Sequence, residues 1–200
     1  MLYTIKQETS KKITIKKSIF IATVSPIQKL NQTNKRIDEI KGKFSNATHY
    51  PYALRIGHER IEERFSDEGE PPKSAGLPIL QELKKANLTN TILVVTRYFG
   101  GIKLGLGGLN RAYRESAALV IVRVRKEVFF PTIRFLLHID RTYIGKLRNI
   151  LEHFNTKIIQ ENYVGIPEYT VEINKEQKDG FLEAIKTVTK GTISIKEIPN

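Results

Sequence analysis

Two hundred residues with 40% apolar side chains suffice for one medium domain or two small ones, and a formal charge of +12 favours a polyanion or an acidic surface as partner. The absence of cysteine excludes a disulfide scaffold, a thiolate nucleophile, a cysteine-ligated zinc and an iron–sulfur cluster together. The charge is uneven: residues 1–130 hold 23 Lys/Arg against 12 Asp/Glu, a balance of +11, while residues 131–200 hold 10 against 9, a balance of +1.

In chain order, Ile13, Ile15, Ile19 and Ile21 alternate as one face of a strand or hairpin that ends at Ser25-Pro26. The proline prepares a helix over 27–41, with Ile27, Leu30, Ile37 and Ile40 on one face and Gly42 as its stop. Residues 50–56 and 61–65 read as strands joined by a turn at 57–60, and residues 66–76 as a loop. A helix runs from Ala75 or Pro78 to Ala86. The β-branched, non-alternating run Thr91–Tyr98 reads as a central strand covered on both sides, and Leu109–Ile121 as an alanine-rich helix. The longest apolar run, Ala117–Val122, ends at Arg123, too short to cross a bilayer, so the expectation is a cytoplasmic protein with no membrane partner.

From residue 131 the order is strand 131–139, helix 143–154, strands 158–163 and 169–173, helix 176–190 and strand 192–198. This β-α-β-β-α-β plan in about 70 residues is the split βαβ or ferredoxin-like arrangement. Element order and charge shift together place a domain boundary at 128–131, and the whole reads as α+β.

Two segments could carry chemistry. Between the buried strand and the alanine-rich helix lies a loop with Gly100, Gly101, Gly105, Gly107 and Gly108, flanked by Arg97, Lys103, Arg111 and Arg114. Bare backbone N–H groups at a helix start, with four cations, suit a phosphate or nucleic acid. A tight turn whose glycines only permit close packing is the alternative. Neither a Walker loop, which needs Lys-Ser/Thr after its last glycine, nor the dinucleotide Gly-x-Gly-x-x-Gly spacing fits. The second segment is acidic, with Asp67, Glu68 and Glu70 around Gly69 and before Pro71-Pro72; it could bind Mg²⁺ or pair with the arginines of the glycine loop.

His49 could serve with Asp67 and Glu70 as an acid/base group, but spacing places no nucleophile beside it, and Ser74 and Ser116 are unpaired hydroxyls. Tyr50, Tyr52, Tyr98 and Phe99 are candidate stacking side chains for RNA.

Ala47-Thr48-His49, Arg55-Ile56-Gly57, Phe65–Pro71, Ala75-Gly76 and above all Val95–Tyr113 resemble the IMPACT family, also called the YigZ family or uncharacterised protein family 0029. The resemblance implies a first domain over 1–128 similar to the second domain of ribosomal protein S5. It also implies a ferredoxin-like second domain over 131–200, similar to the last domain of elongation factor G. Its eukaryotic relatives regulate translation through a further binding domain that this chain lacks, and its bacterial members have no settled activity. The family commonly reads Asp-Asp-Gly-Glu-Pro-Ser-Gly-Thr-Ala-Gly where this chain has Asp67 to Gly76, so Pro72 and Lys73 replace serine and glycine.

The leading expectation is a non-catalytic RNA- or ribosome-associated translation regulator without a cofactor. The alternatives are an enzyme acting on a small phosphorylated substrate with His49, Asp67 and Glu70, Mg²⁺-dependent in one version, and a module for an acidic protein surface.

Overall fold

The computed structural model describes residues 1–199, and its contacts divide the chain into two units, Met1–Phe129 and the residues from Phe130 onward. The first unit opens with β1 (Tyr3–Ile5), β2 (Thr9–Ile15) and β3 (Ser18–Pro26), followed by α1 (Thr33–Lys43). Strands β4 (Tyr52–Ile56) and β5 (Glu62–Ser66), helix α2 (Gly76–Lys85), strand β6 (Thr91–Tyr98), helix α3 (Gly105–Ile121) and strand β7 (Lys126–Val128) complete it. Five strands form an antiparallel sheet in the order β2-β3-β6-β4-β5, and β1 pairs with β7 in a separate ribbon.

The run of apolar residues in β6 is explained by a core on each face of the sheet. Leu93 and Val95 join the core made with Ile79, Leu83, Leu109, Tyr113 and Ala117 of α2 and α3. Ile92 and Val94 join the opposite core, with Ile37 and Ile40 of α1. A strand buried on both faces cannot alternate between apolar and polar side chains.

Three local expectations are corrected. The β2–β3 hairpin turns on Lys16 and Lys17, both at positive φ (44° and 68°), so Ile13 lies opposite Phe20 and Thr14 opposite Ile19. The two-residue turn therefore puts Ile19 and Ile21 on the face away from Ile13, and Phe20, Ala22 and Val24 enter the α2/α3 core instead. Pro26 does not start a helix: it stays in β3 opposite Thr91, and the Ile27 N–H donates to Asn90 O at 2.9 Å, holding the chain extended. Helix α1 begins only at Thr33 and runs through Gly42 to Lys43. Finally, α3 starts four residues ahead of Leu109, at Gly105, so Gly107 and Gly108 are helical. Burial of Leu109, Ala112 and Tyr113 against the sheet outweighs the poor helix propensity of glycine.

The second unit contains β8 (Thr132–His138), α4 (Ile144–His153), β9 (Lys157–Asn162), β10 (Glu168–Asn174), α5 (Lys178–Val188) and β11 (Ser194–Ile198). Its sheet is antiparallel throughout, in the order β11-β8-β10-β9. Phe135 and Leu137 of β8 and Tyr169, Val171 and Ile173 of β10 pack with Leu147 and Leu151 of α4 and Phe181 and Ile185 of α5. The alternate residues pair across the other face, Arg134 with Glu172 at 2.8 Å and His138 with Glu168 at 3.0 Å. Among the described residues no helix is long and apolar enough to cross a membrane.

Candidate functional site

The acidic loop and the start of the glycine-rich segment meet inside the first unit. Glu70, 7% exposed, accepts a hydrogen bond from Arg97 Nη1 at 2.6 Å and another from the Tyr113 hydroxyl at 2.6 Å, both on Oε1. Arg97 is 5% exposed and its guanidinium lies 5.5 Å from the ring centres of Phe20 and Phe99. Its Nε is buried with no partner. Burial, and after it the negative charge of Glu70, push the Tyr113 phenol far above its ordinary value, so Tyr113 remains a donor. Arg97, expected at a phosphate, is instead the counter-ion of a buried carboxylate, because its strand position faces the α3 side of the sheet.

Asp67 has a structural task. Its Oδ2 accepts from the Lys73 N–H at 2.7 Å, and its Oδ1 from the N–H groups of Ala75 and Gly76 at 3.0 and 2.9 Å. The carboxylate thus satisfies donors at the start of α2, where the helix dipole also favours negative charge. Lys73 itself sits at φ +62°, in the left-handed region that glycine takes most readily. Replacing Asp67 by alanine is expected to lower stability by about 2 kcal/mol, read from urea unfolding of the first unit, because three backbone donors lose their acceptor. A change below about 0.5 kcal/mol would mean water replaces the carboxylate at no cost.

His49 pairs with Arg97 through the backbone, and its Nδ1 lies 3.0 Å from the Glu68 carbonyl oxygen. A carbonyl only accepts, so Nδ1 carries a proton, and in the neutral ring Nε2 is the acceptor. Thr48 Oγ1 accepts from the Phe99 N–H at 3.1 Å. His49, Glu70, Arg97, Phe99 and Lys103 line a cavity of about 420 Å³ whose remaining wall is largely leucine from the start of α3.

The five glycines divide into different roles. A Cβ on Gly100 would stand 2.1 Å from the backbone carbonyl of Lys17, so this glycine exists for close approach to the β2–β3 turn. Gly101 and Gly105 take positive φ, 83° and 68°. Gly107 faces open space, and Gly108 lies against Leu104.

Lys103 is exposed at the cavity rim, while Arg111 and Arg114 are exposed further along α3. At 1.5 Å per residue they lie about 9 and 14 Å from Gly105, and Arg114 donates to Gln81 on α2. The four cations therefore do not converge on one point. Among the aromatic candidates, the Tyr50 and Tyr98 hydroxyls donate to the backbone oxygens of Phe44 and Ser45, and Tyr52 is half-buried in β4. Phe99, 46% exposed, is the exposed one of the four, and Ile102 and Leu106 further along the same segment are 41% and 65% exposed.

The Ser74 and Ser116 hydroxyls donate to the carbonyls of Pro71 and Ala112, so neither is poised as a nucleophile. Among the described residues no three His, Asp or Glu side chains are grouped to hold a metal ion. Tyr113 belongs to the site without any sequence signal for that role. Its place on the apolar stripe of α3, four residues after Leu109 and four before Ala117, identifies a core position but not the carboxylate its hydroxyl meets.

Fold and site define a two-unit mixed α/β protein with antiparallel sheets, whose acidic loop and glycine-rich helix start line an open cavity. The family profile of the Impact N-terminal domain matches residues 16–121. The chain is 34% identical to the IMPACT family member YvyE of Bacillus subtilis over 98% of its own length and 90% of that protein's. It is 25% identical to the IMPACT family member YigZ of Escherichia coli over 92% of this chain and 91% of that protein. A solved structure described as a hypothetical protein superposes with a TM-score of 0.73 at 23% identity, covering 100% of this chain and 98% of that one. The chain belongs to the IMPACT family.

Proposed function

We propose that this chain is a non-catalytic RNA- or ribosome-associated protein acting in translation, and that its first unit makes the contact. The observation that carries the reading is the exposed segment from Phe99 to Leu106, which presents an aromatic ring, Lys103 and the start of α3 together on a unit with nearly all the net charge. A ring for stacking beside a cation for phosphate is the combination that single-stranded RNA requires. The proposal takes the first unit as similar to the second domain of ribosomal protein S5. It takes the second as ferredoxin-like, supported by its β-α-β-β-α-β order and its fourth-first-third-second strand arrangement.

Filter binding of RNA with unpaired segments across ionic strength tests the reading. Affinity should fall steeply with salt, and Lys103→Glu should weaken binding and flatten the slope by about one phosphate contact. Undetectable binding at low salt would overturn it. Equal binding to an acidic polypeptide would transfer the surface to a protein partner.

The cavity favours one alternative, an enzyme for a small phosphorylated substrate. Against it, Asp67 holds the α2 start through both oxygens and Glu70 carries two hydrogen bonds from the protein.

A further inference from the structure

The cavity beside Phe99 has a chemistry of its own, and the ligand assigned to it rests on the RNA-binding role of the surrounding surface. At about 420 Å³ it falls within the usual size range of small-ligand pockets. A bound anion would meet the Glu70 carboxylate in its wall, so a phosphate belongs at the rim, beside Lys103, and not inside. The inside suits a neutral group.

That group must bring donors. The Arg97 and Tyr113 bonds both fall on Glu70 Oε1, so Oε2 carries neither. The His49 ring, held through Nδ1 by the Glu68 carbonyl, offers Nε2 as an acceptor. Phe99 supplies an aromatic surface at the mouth, with the Arg97 guanidinium 5.5 Å from its ring centre. A planar, neutral, donor-rich ligand that stacks is a nucleobase.

The bases differ in what they show to such acceptors. Guanine has an N–H and an amino group side by side on its pairing edge, so it can meet Oε2 with a donor and turn no acceptor toward the carboxylate. Adenine and cytosine place their amino group beside an acceptor nitrogen, and uracil places its N–H between two carbonyls. A ring nitrogen or carbonyl turned toward Glu70 would face another acceptor and lose the hydrogen bond it had in water. We propose that this cavity holds an unpaired guanine of single-stranded RNA, stacked at Phe99 and read by Glu70, with its phosphate held at the rim by Lys103.

The test uses the full chain and labelled uridine oligomers of about eight nucleotides with one central guanosine, inosine, adenosine or uridine, read by fluorescence anisotropy. Guanosine should bind about 10-fold tighter than adenosine or more, and inosine, which lacks the amino group, should fall between them. Glu70→Gln, which keeps an oxygen for Arg97 and Tyr113, should erase the guanosine preference, bringing the guanosine oligomer down to the affinity of the adenosine one. The inosine comparison needs no variant and stands even if that protein folds poorly. Equal affinity for all four oligomers, with salt dependence intact, would overturn the guanine assignment and leave the RNA reading standing. Failure to bind any of them at low salt would overturn both.

Discussion

Truncation of Glu70 to alanine is expected to destabilise the first unit by about 3–5 kcal/mol, the cost of leaving one member of a buried ion pair alone. The side chains of Arg97 and Glu70 are 6% and 3% exposed, so water takes over few of the lost contacts. Arg97 would keep a buried charge whose Nε is already without a partner, and the Tyr113 hydroxyl would lose its acceptor. Arg97→Ala should be comparably severe, because it strands the carboxylate. Tyr113→Phe removes one neutral donor and should cost less, about 1–3 kcal/mol. The double replacement Glu70→Leu with Arg97→Met removes both charges, and its cost should be far below the sum of the two single truncations. Urea unfolding of the set measures this. A strictly additive double variant would show that the two side chains contribute independently and that the buried pair is not a unit.

A second large effect is expected at Gly100. A methyl group there would stand 2.1 Å from both the carbonyl carbon and oxygen of Lys17 and 2.5 Å from the Ser18 nitrogen. These are backbone atoms at the start of β3, so relief requires the hairpin and the loop after β6 to move apart. Gly100→Ala should therefore cost about 3 kcal/mol or more, at the upper end of overpacking. It should also weaken RNA binding, since Phe99 is the adjoining residue. Gly107→Ala supplies the contrast. That glycine is helical and meets nothing within 4 Å, so alanine should stabilise the protein by about 0.5–1 kcal/mol. Opposite signs seven residues apart are the expected result, read from thermal and urea unfolding. Equal effects at both positions would refute the packing account of Gly100.

The two motifs singled out in the sequence contain most of the site, yet their parts play different roles from those expected. Asp67, by composition a candidate metal ligand or catalytic group, holds the start of a helix; Arg97, by position a candidate phosphate contact, neutralises Glu70. Both are charged residues in loops or at a strand end, and nothing local says whether such a group faces solvent or the core. Lys103 and Phe99 have the exposure that suits a binding surface.

Local patterns were legible from residue order alone: the two-faced burial of β6, the β-α-β-β-α-β order from residue 131, and the family. Periodicity over a few residues is dictated by the geometry of helix and strand, so it is written in neighbouring positions. Which residues meet was settled by the assembled fold. The 43 positions separating Glu70 from Tyr113, and the 27 separating it from Arg97, are closed by the strand order and by α3 crossing the sheet. The parity of a two-residue turn sent Phe20, not Ile19, into the core beneath Arg97. Contacts of that range depend on how the layers stack, which no window of adjacent residues contains.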